Sequence, residues 1–187
     1  MSTTRENIRK GHRNQENGAA FEKILSQMFH VLEEAQLAKI AKIPEPLRVL
    51  GPAEKGIWRA IYIRAAAMVD YQGTLIGGRA CYLEAKYTRS EKMEQDRVAE
   101  RQAEAMDKYA ALGASCGVIV SFGTRCCGVV PWAAWRRMKE IFGRKYLREE
   151  DLERMKWSFR IYNPRELCQL LHSLSLYPLN TPSLPKP

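Results

Sequence analysis

The chain has no apolar run long enough to span a bilayer, no glycine-rich phosphate loop, no dinucleotide fingerprint, no internal repeat and no cysteine pair at C-x-x-C spacing. Membrane-spanning, P-loop, Rossmann-type and zinc-ribbon readings are thereby set aside. Histidine is scarce, and the scattered His12, His30 and His172 give a histidine-based catalytic pair little support. The 5 cysteines (Cys81, Cys116, Cys126, Cys127 and Cys168) are odd in number, so at least one stays outside any internal disulfide scheme. A reducing cytoplasm is the expected compartment, and the charged N-terminus lacks the apolar stretch of an export signal. Cys126 and Cys127 fall in an apparent strand, where they are expected to pack as small apolar groups.

What is present fits one folded unit. A chain of 187 residues with 45% hydrophobic content can bury a core of its own but leaves little room for a second catalytic domain. Lys and Arg number 30 against 21 Asp and Glu, a formal charge of +9 that favours polyanionic partners, nucleic acid first among them. Residues 1–17 carry Arg5, Arg9, Lys10, His12 and Arg13 with almost no apolar content, and read as a flexible basic arm. Such an arm either aids solubility or meets DNA phosphates through Arg9, Lys10 and Arg13 without sequence preference. Residues 18–176 read as the folded domain, and residues 177–187 as a flexible proline-rich tail.

Within the domain, Phe21, Ile24, Leu25, Met28, Val31, Leu32 and Ala35 recur at helical spacing, predicting an amphipathic helix from Gly18 to about Lys39. A short strand at Ile40–Ile43 is stopped by Pro44 and Pro46. A strand is expected at Ile57–Ile63, a helix from Met93 to Leu112 ended by Gly113, and a buried strand at Cys116–Phe122 returning through Cys126–Val130. Pro131 is placed to open a helix reaching Phe142, in which Trp132 and Trp135 are core anchors and Arg136 and Arg137 could track a phosphate strand. Short helical pieces follow at Leu152–Trp157 and Pro164–Leu174.

The chemistry concentrates between Met68 and Thr88. This stretch reads as a β-hairpin reversing at Gly77-Gly78, with Asp70 on the first arm and Glu84 and Lys86 on the second. Side chains alternate along a strand, so Glu84 and Lys86 share a face, and the fold-back can bring Asp70 beside Glu84. Two carboxylates on a rigid hairpin suit Mg²⁺, which keeps several waters and takes one or two carboxylates plus substrate phosphate oxygens. A lysine next to such an ion can orient the attacking water and offset charge on phosphorus, which points to metal-dependent phosphodiester hydrolysis. An exposed hairpin with a same-face ion pair is the ordinary alternative, because Glu-x-Lys alone has little specificity.

Four runs in order, Asn17-Gly18-Ala19-Ala20-Phe21-Glu22, Val69-Asp70-Tyr71-Gln72-Gly73, Glu84-Ala85-Lys86-Tyr87-Thr88 and Arg101-Gln102, resemble the successive motifs of the RecU family of Holliday junction resolvases, within the PD-(D/E)xK nuclease superfamily. The resemblance extends from about Gly18 to Pro131-Trp132, and Lys42-Ile43-Pro44-Glu45-Pro46 is similar to the family's Lys-x-Pro-x-Pro segment. It implies an α/β fold with a restriction-endonuclease-like core, a mixed sheet flanked by helices. It also implies dependence on Mg²⁺, with Mn²⁺ as a substitute, a homodimer, and cleavage of four-way DNA junctions. On the family pattern Asp70 and Glu84 hold the metal, Lys86 positions the nucleophilic water, Glu22 supports the metal from the first helix, Gln102 positions water or phosphate, and Arg101 meets phosphate. The family also places a junction-engaging stalk near the Ile57–Ile63 strand. One departure stands out: Arg64-Ala65-Ala66-Ala67-Met68 replaces the family's polar Lys-Ser-Thr type run, keeping a positive charge at Arg64 but losing the hydroxyls. That bears on phosphate positioning and junction selectivity and leaves Asp70, Glu84 and Lys86 intact.

Two other readings stay open at this level. A nuclease of the same fold could act on other branched or duplex DNA, since fold does not settle substrate. A non-catalytic DNA-binding protein would keep the basic surface, although it would have no use for an intact Asp70, Glu84 and Lys86.

Overall fold

Phe21, Leu25, Met28, Phe29 and Leu32 are all buried along one face of a helix, α1, that runs from Thr3 to Glu34. Each such side chain contributes about 1.5–3 kcal/mol relative to leaving it exposed. The computed structural model describes residues 3–44, 47–52, 54–62, 69–123 and 126–174. The helix starts at Thr3, ahead of the Gly18 that the apolar spacing suggests, because extending a helix costs little once a packed stretch has nucleated it. The helix also ends earlier than its apolar spacing suggests. Gln36 takes a left-handed φ of 57° and Leu37 donates back to the Leu32 carbonyl, which releases Ala38 into the sheet.

β1 (Ala38–Lys42) begins that sheet. β2 (Leu47–Pro52) and β3 (Trp58–Tyr62) pair antiparallel with each other in a separate two-stranded sheet, the second of them within the strand expected at Ile57–Ile63. Its side chains are largely solvent-facing, Trp58 being 65% exposed, so this hairpin adds little to the core. β4 (Tyr71–Leu75) and β5 (Ala80–Thr88) form the hairpin foreseen around Gly77 and Gly78, whose φ values of 87° and 84° suit glycine.

β6 (Met93–Glu94) corrects the expectation of a helix from Met93: the residues pair with a distant strand, a 3₁₀ turn follows at Gln95–Arg97, and α2 covers only Glu100–Ala111. Tertiary bonds override the local helical pattern here, as Gln95 donates to the Trp135 carbonyl at 2.5 Å and the Trp135 indole donates to the Gln95 carbonyl at 3.2 Å. β7 (Ser115–Phe122) is buried at every residue, as its apolar run predicts, and β8 (Cys126–Pro131) returns beside it. The helix after Pro131 is split at Arg137, φ −106°, into α3 (Trp132–Arg136) and α4 (Met138–Phe142). β9 (Tyr146–Leu147) is the partner of β6, inside what reads as a charged connection. α5 (Glu149–Arg154), β10 (Ser158–Phe159) and α6 (Pro164–Ser173) complete the described chain. The expected tail at 177–187 lies outside the described residues.

The main sheet has 6 strands in the order β1-β4-β5-β7-β8-β10, mixed because β5 and β7 run parallel while their neighbours are antiparallel. Helices α1 and α6 close one face, with Phe21, Leu25, Leu167 and Leu171 in the same core as Tyr71 and Leu83. On the other face Ala103 and Met106 of α2, Trp132 and Trp135 of α3 and Leu152 of α5 pack with Val118 and Val120. The fold is thus α/β with a restriction-endonuclease-like core, and both tryptophans of α3 are buried anchors. Cys127 is buried and Cys126 half-buried, both free and packed with apolar neighbours. Gly73 sits where β1 crosses closest: a Cβ there would lie 2.0 Å from the Lys39 carbonyl oxygen. No helix among the described residues is long and apolar enough to cross a membrane.

Candidate active site

The β4–β5 register pairs Tyr71 with Leu83, which sets Asp70, the residue just before β4, level with Glu84. The Asp70 N–H donates to Oε2 of Glu84 at 3.2 Å, and the Ala85 N–H donates to Oδ2 of Asp70 at 2.8 Å, so the two carboxylates are locked to each other's strands. Tyr71 and Leu83 belong to the α1 core, and alternation therefore turns Glu84 and Lys86 to the opposite face, toward α2. There Lys86 Nζ reaches Oε1 of Glu84 at 2.5 Å, and Gln102 Nε2 donates to the same oxygen at 2.6 Å. Gln102 is itself fixed, because its Oε1 accepts from the Ala99 N–H at 3.2 Å, at the N-terminal end of α2. The hairpin and the second helix thus bring together Asp70, Glu84, Lys86 and Gln102.

Glu84 is 0% exposed, and burial pushes its carboxyl up to about 7; the Lys86 ammonium opposes the rise and the Asp70 charge adds to it. A buried carboxylate with one lysine and a second carboxylate beside it gains from further positive charge. Among the described residues no group of three or more His, Cys, Asp or Glu side chains gathers as a metal cluster. Two carboxylates fit a hard cation that keeps most of its water, such as Mg²⁺ or Mn²⁺, and not a closed zinc cage. Oδ1 of Asp70 and the partly committed Oε2 of Glu84 are the oxygens such an ion would take.

Glu22 is not bonded to this group. Its carboxylate accepts from Lys42 Nζ at 2.5 Å, and its backbone carbonyl accepts from the Tyr71 hydroxyl at 3.4 Å. Lys42 is the strand partner of Tyr71, and paired residues of antiparallel strands point to the same side, so the pair lies on the α1 side of the sheet. Burial raises the Tyr71 phenol, and the charges of Glu22 and Asp70 both add to the rise. Lys42 has no part in a local sequence pattern with Glu22, 20 residues away, and only the pairing of β1 with β4 reveals it.

The basic residues divide. Arg101 is exposed in the first turn of α2, next to Gln102. Arg136 pairs with Asp107 at 3.3 Å and lies over the Trp132 ring, while Arg137 donates to Glu140 at 2.7 Å, so part of their charge is spent within the protein. Arg9, Lys10 and Arg13 fall on the N-terminal half of α1. Arg64 lies outside the described residues.

A family model described as recombination protein U, RecU, matches residues 16–167, which takes in Glu22, Asp70, Glu84, Lys86 and Gln102 and runs on into α6. Comparison with curated proteins gives no match.

Proposed function

The chain belongs to the RecU family of Holliday junction resolvases, and on that premise we propose that it is a Mg²⁺-dependent endonuclease that resolves four-way DNA junctions by paired nicks, acting as a homodimer in DNA recombination and repair. The observation that carries this reading is the convergence of Asp70, Glu84, Lys86 and Gln102 around one buried carboxylate. A divalent ion held by Asp70 and Glu84 would supply Lewis-acid charge and a water activated near neutral pH. Lys86 orients that water and offsets negative charge building on the phosphate, and Gln102 keeps Glu84 aimed. Glu22 supports the centre from the α1 side. Arg101 and the basic half of α1 bind phosphates, with Arg136 and Arg137 contributing what their internal partners leave.

The dimer follows from the task. Two strands of like polarity have to be cut within one complex, and a two-fold pair presents two equivalent centres to a substrate of matching symmetry. The test is a cleavage assay with and without Mg²⁺ on a four-way junction and on linear duplex of the same sequence, with light scattering on the same sample. Junction-selective, Mg²⁺-dependent paired nicking by a dimer is the expected result. Equal cleavage of junction and duplex would leave a nuclease of another substrate, and a monomer at micromolar concentration would remove the paired mechanism.

A further inference from the structure

Arg97 ends the 3₁₀ turn that leads into α2, and that turn is held firmly in place. The Gln95 N–H donates to the Lys145 carbonyl at 2.9 Å, its side chain and carbonyl bond Trp135, and Val98 is buried just beyond. From this base Nη2 of Arg97 donates to the Tyr87 carbonyl at 3.3 Å. Tyr87 directly follows Lys86 on β5, and its carbonyl faces a particular edge. Thr88 turns its carbonyl toward β7, where it accepts from the Gly123 N–H at 2.7 Å. Backbone groups alternate sides along a strand, so the Tyr87 carbonyl points the other way, as does the Ala85 N–H that holds the Asp70 carboxylate. β4 begins only at Tyr71, opposite Leu83, so no described strand borders β5 from Lys86 to Thr88 on that side. Arg97 therefore stands at an open edge two residues beyond the anchor of Asp70, a step of about 7 Å on an extended strand.

Its charge is also unspent. Lys86 faces Glu84, Arg136 faces Asp107 and Arg137 faces Glu140, whereas Arg97 is exposed and, among the described residues, meets only a neutral carbonyl. One N–H of a guanidinium that carries five is engaged. We propose that Arg97 grips the DNA phosphate next to the one that reacts at Asp70 and Glu84, with the Tyr87 carbonyl keeping its planar fork turned to the open edge. This rests on the nuclease reading above. A strand carries a phosphate on every nucleotide, so a contact one nucleotide away fixes which phosphate reaches the centre. Guanidinium offers paired N–H groups to phosphate oxygens, and a side chain already tethered loses less freedom on binding.

The experiment measures affinity for a fluorescein-labelled four-way junction by anisotropy across a salt series in Ca²⁺, for the wild type, Arg97→Ala and Arg97→Lys. Arg97→Ala should lower the slope of log affinity against log salt by about 1 and weaken binding roughly tenfold at about 0.1 M salt, one phosphate contact having been lost. Arg97→Lys keeps the charge and should recover the slope but only part of the affinity. In Mg²⁺, KM for junction cleavage by Arg97→Ala should rise by roughly the same factor while kcat falls less than about threefold. A tether with only a structural role would lower the melting temperature of the variants and leave the slope alone. Arg97→Gln, uncharged but with an amide donor of its own, replaces the alanine variant if that one melts early. A wild-type slope in Arg97→Ala, or a fall in kcat with affinity intact, would overturn the proposal. A wild type that neither binds the junction nor cleaves it in Mg²⁺ would instead overturn the nuclease reading itself.

Discussion

Gln102 of α2 donates to the same oxygen of Glu84 that Lys86 grips, at 2.6 and 2.5 Å. One donor comes from the strand that carries the carboxylate and the other from a helix across the sheet face, so Glu84 Oε1 is fixed from two directions. A hydrogen bond to a charged group contributes about 1.5–3 kcal/mol. Gln102→Ala should therefore slow single-turnover cleavage roughly tenfold to a hundredfold, with junction affinity little changed. Wild-type rates would show that Lys86 alone suffices to hold Glu84.

Asp70→Asn and Glu84→Gln should each reduce cleavage to background while junction binding stays within a few-fold, because they remove metal charge and leave the basic surface intact. Lys86→Ala should lose most turnover yet keep its Mg²⁺ affinity in a calorimetric titration. Substantial cleavage by either carboxylate variant would disprove the metal assignment.

Stability should fall with pH through Glu84. Its folded value, about 7, lies above the ordinary 4.5, so the folded state holds a proton that the unfolded chain has released. The stabilisation is complete below about 4.5 and is lost as pH rises toward 7. In EDTA, urea melts of the wild type from pH 4.5 to 8 should decline relative to Glu84→Gln, which cannot titrate. Parallel profiles would contradict the shift. Divalent affinity should climb through the same window, because the ion competes with that proton.

Gly73→Ala should detach or strain β1. The new Cβ would meet the Lys39 carbonyl oxygen and, at 2.7 Å, the Ile40 Cα, neither of which can swing aside. Overpacking of this kind costs about 1–3 kcal/mol. A lowered melting temperature is expected, and a wild-type melting curve would mean that β1 shifts freely.

The parts of this molecule legible in the sequence are those governed by near neighbours. Alternation along Ala80–Thr88 and the Gly77-Gly78 reversal place Asp70 opposite Glu84, and the unbroken apolar run at Cys116–Phe122 marks a buried strand. What escapes is non-local. The two-residue strand at Met93 exists only because Tyr146 and Leu147 meet it, and without them the same residues continue a helical pattern. Gln102 earned its place from the family motif, since a glutamine on a polar helix carries no signal of its own. The Glu22–Lys42 pair depends on which way two distant elements face.

β5 lies third in its sheet, hydrogen-bonded to β4 on one side and β7 on the other, whereas β1 forms the edge. Amide exchange should sort the two accordingly. Releasing the β5 amides means opening both flanking ladders, so Glu84 and Lys86 belong to the slowest-exchanging part of the molecule, while Lys42 rides on a strand that breathes first. Fraying at the Lys42 edge can then come and go without disturbing the hydrogen bonds that fix Glu84.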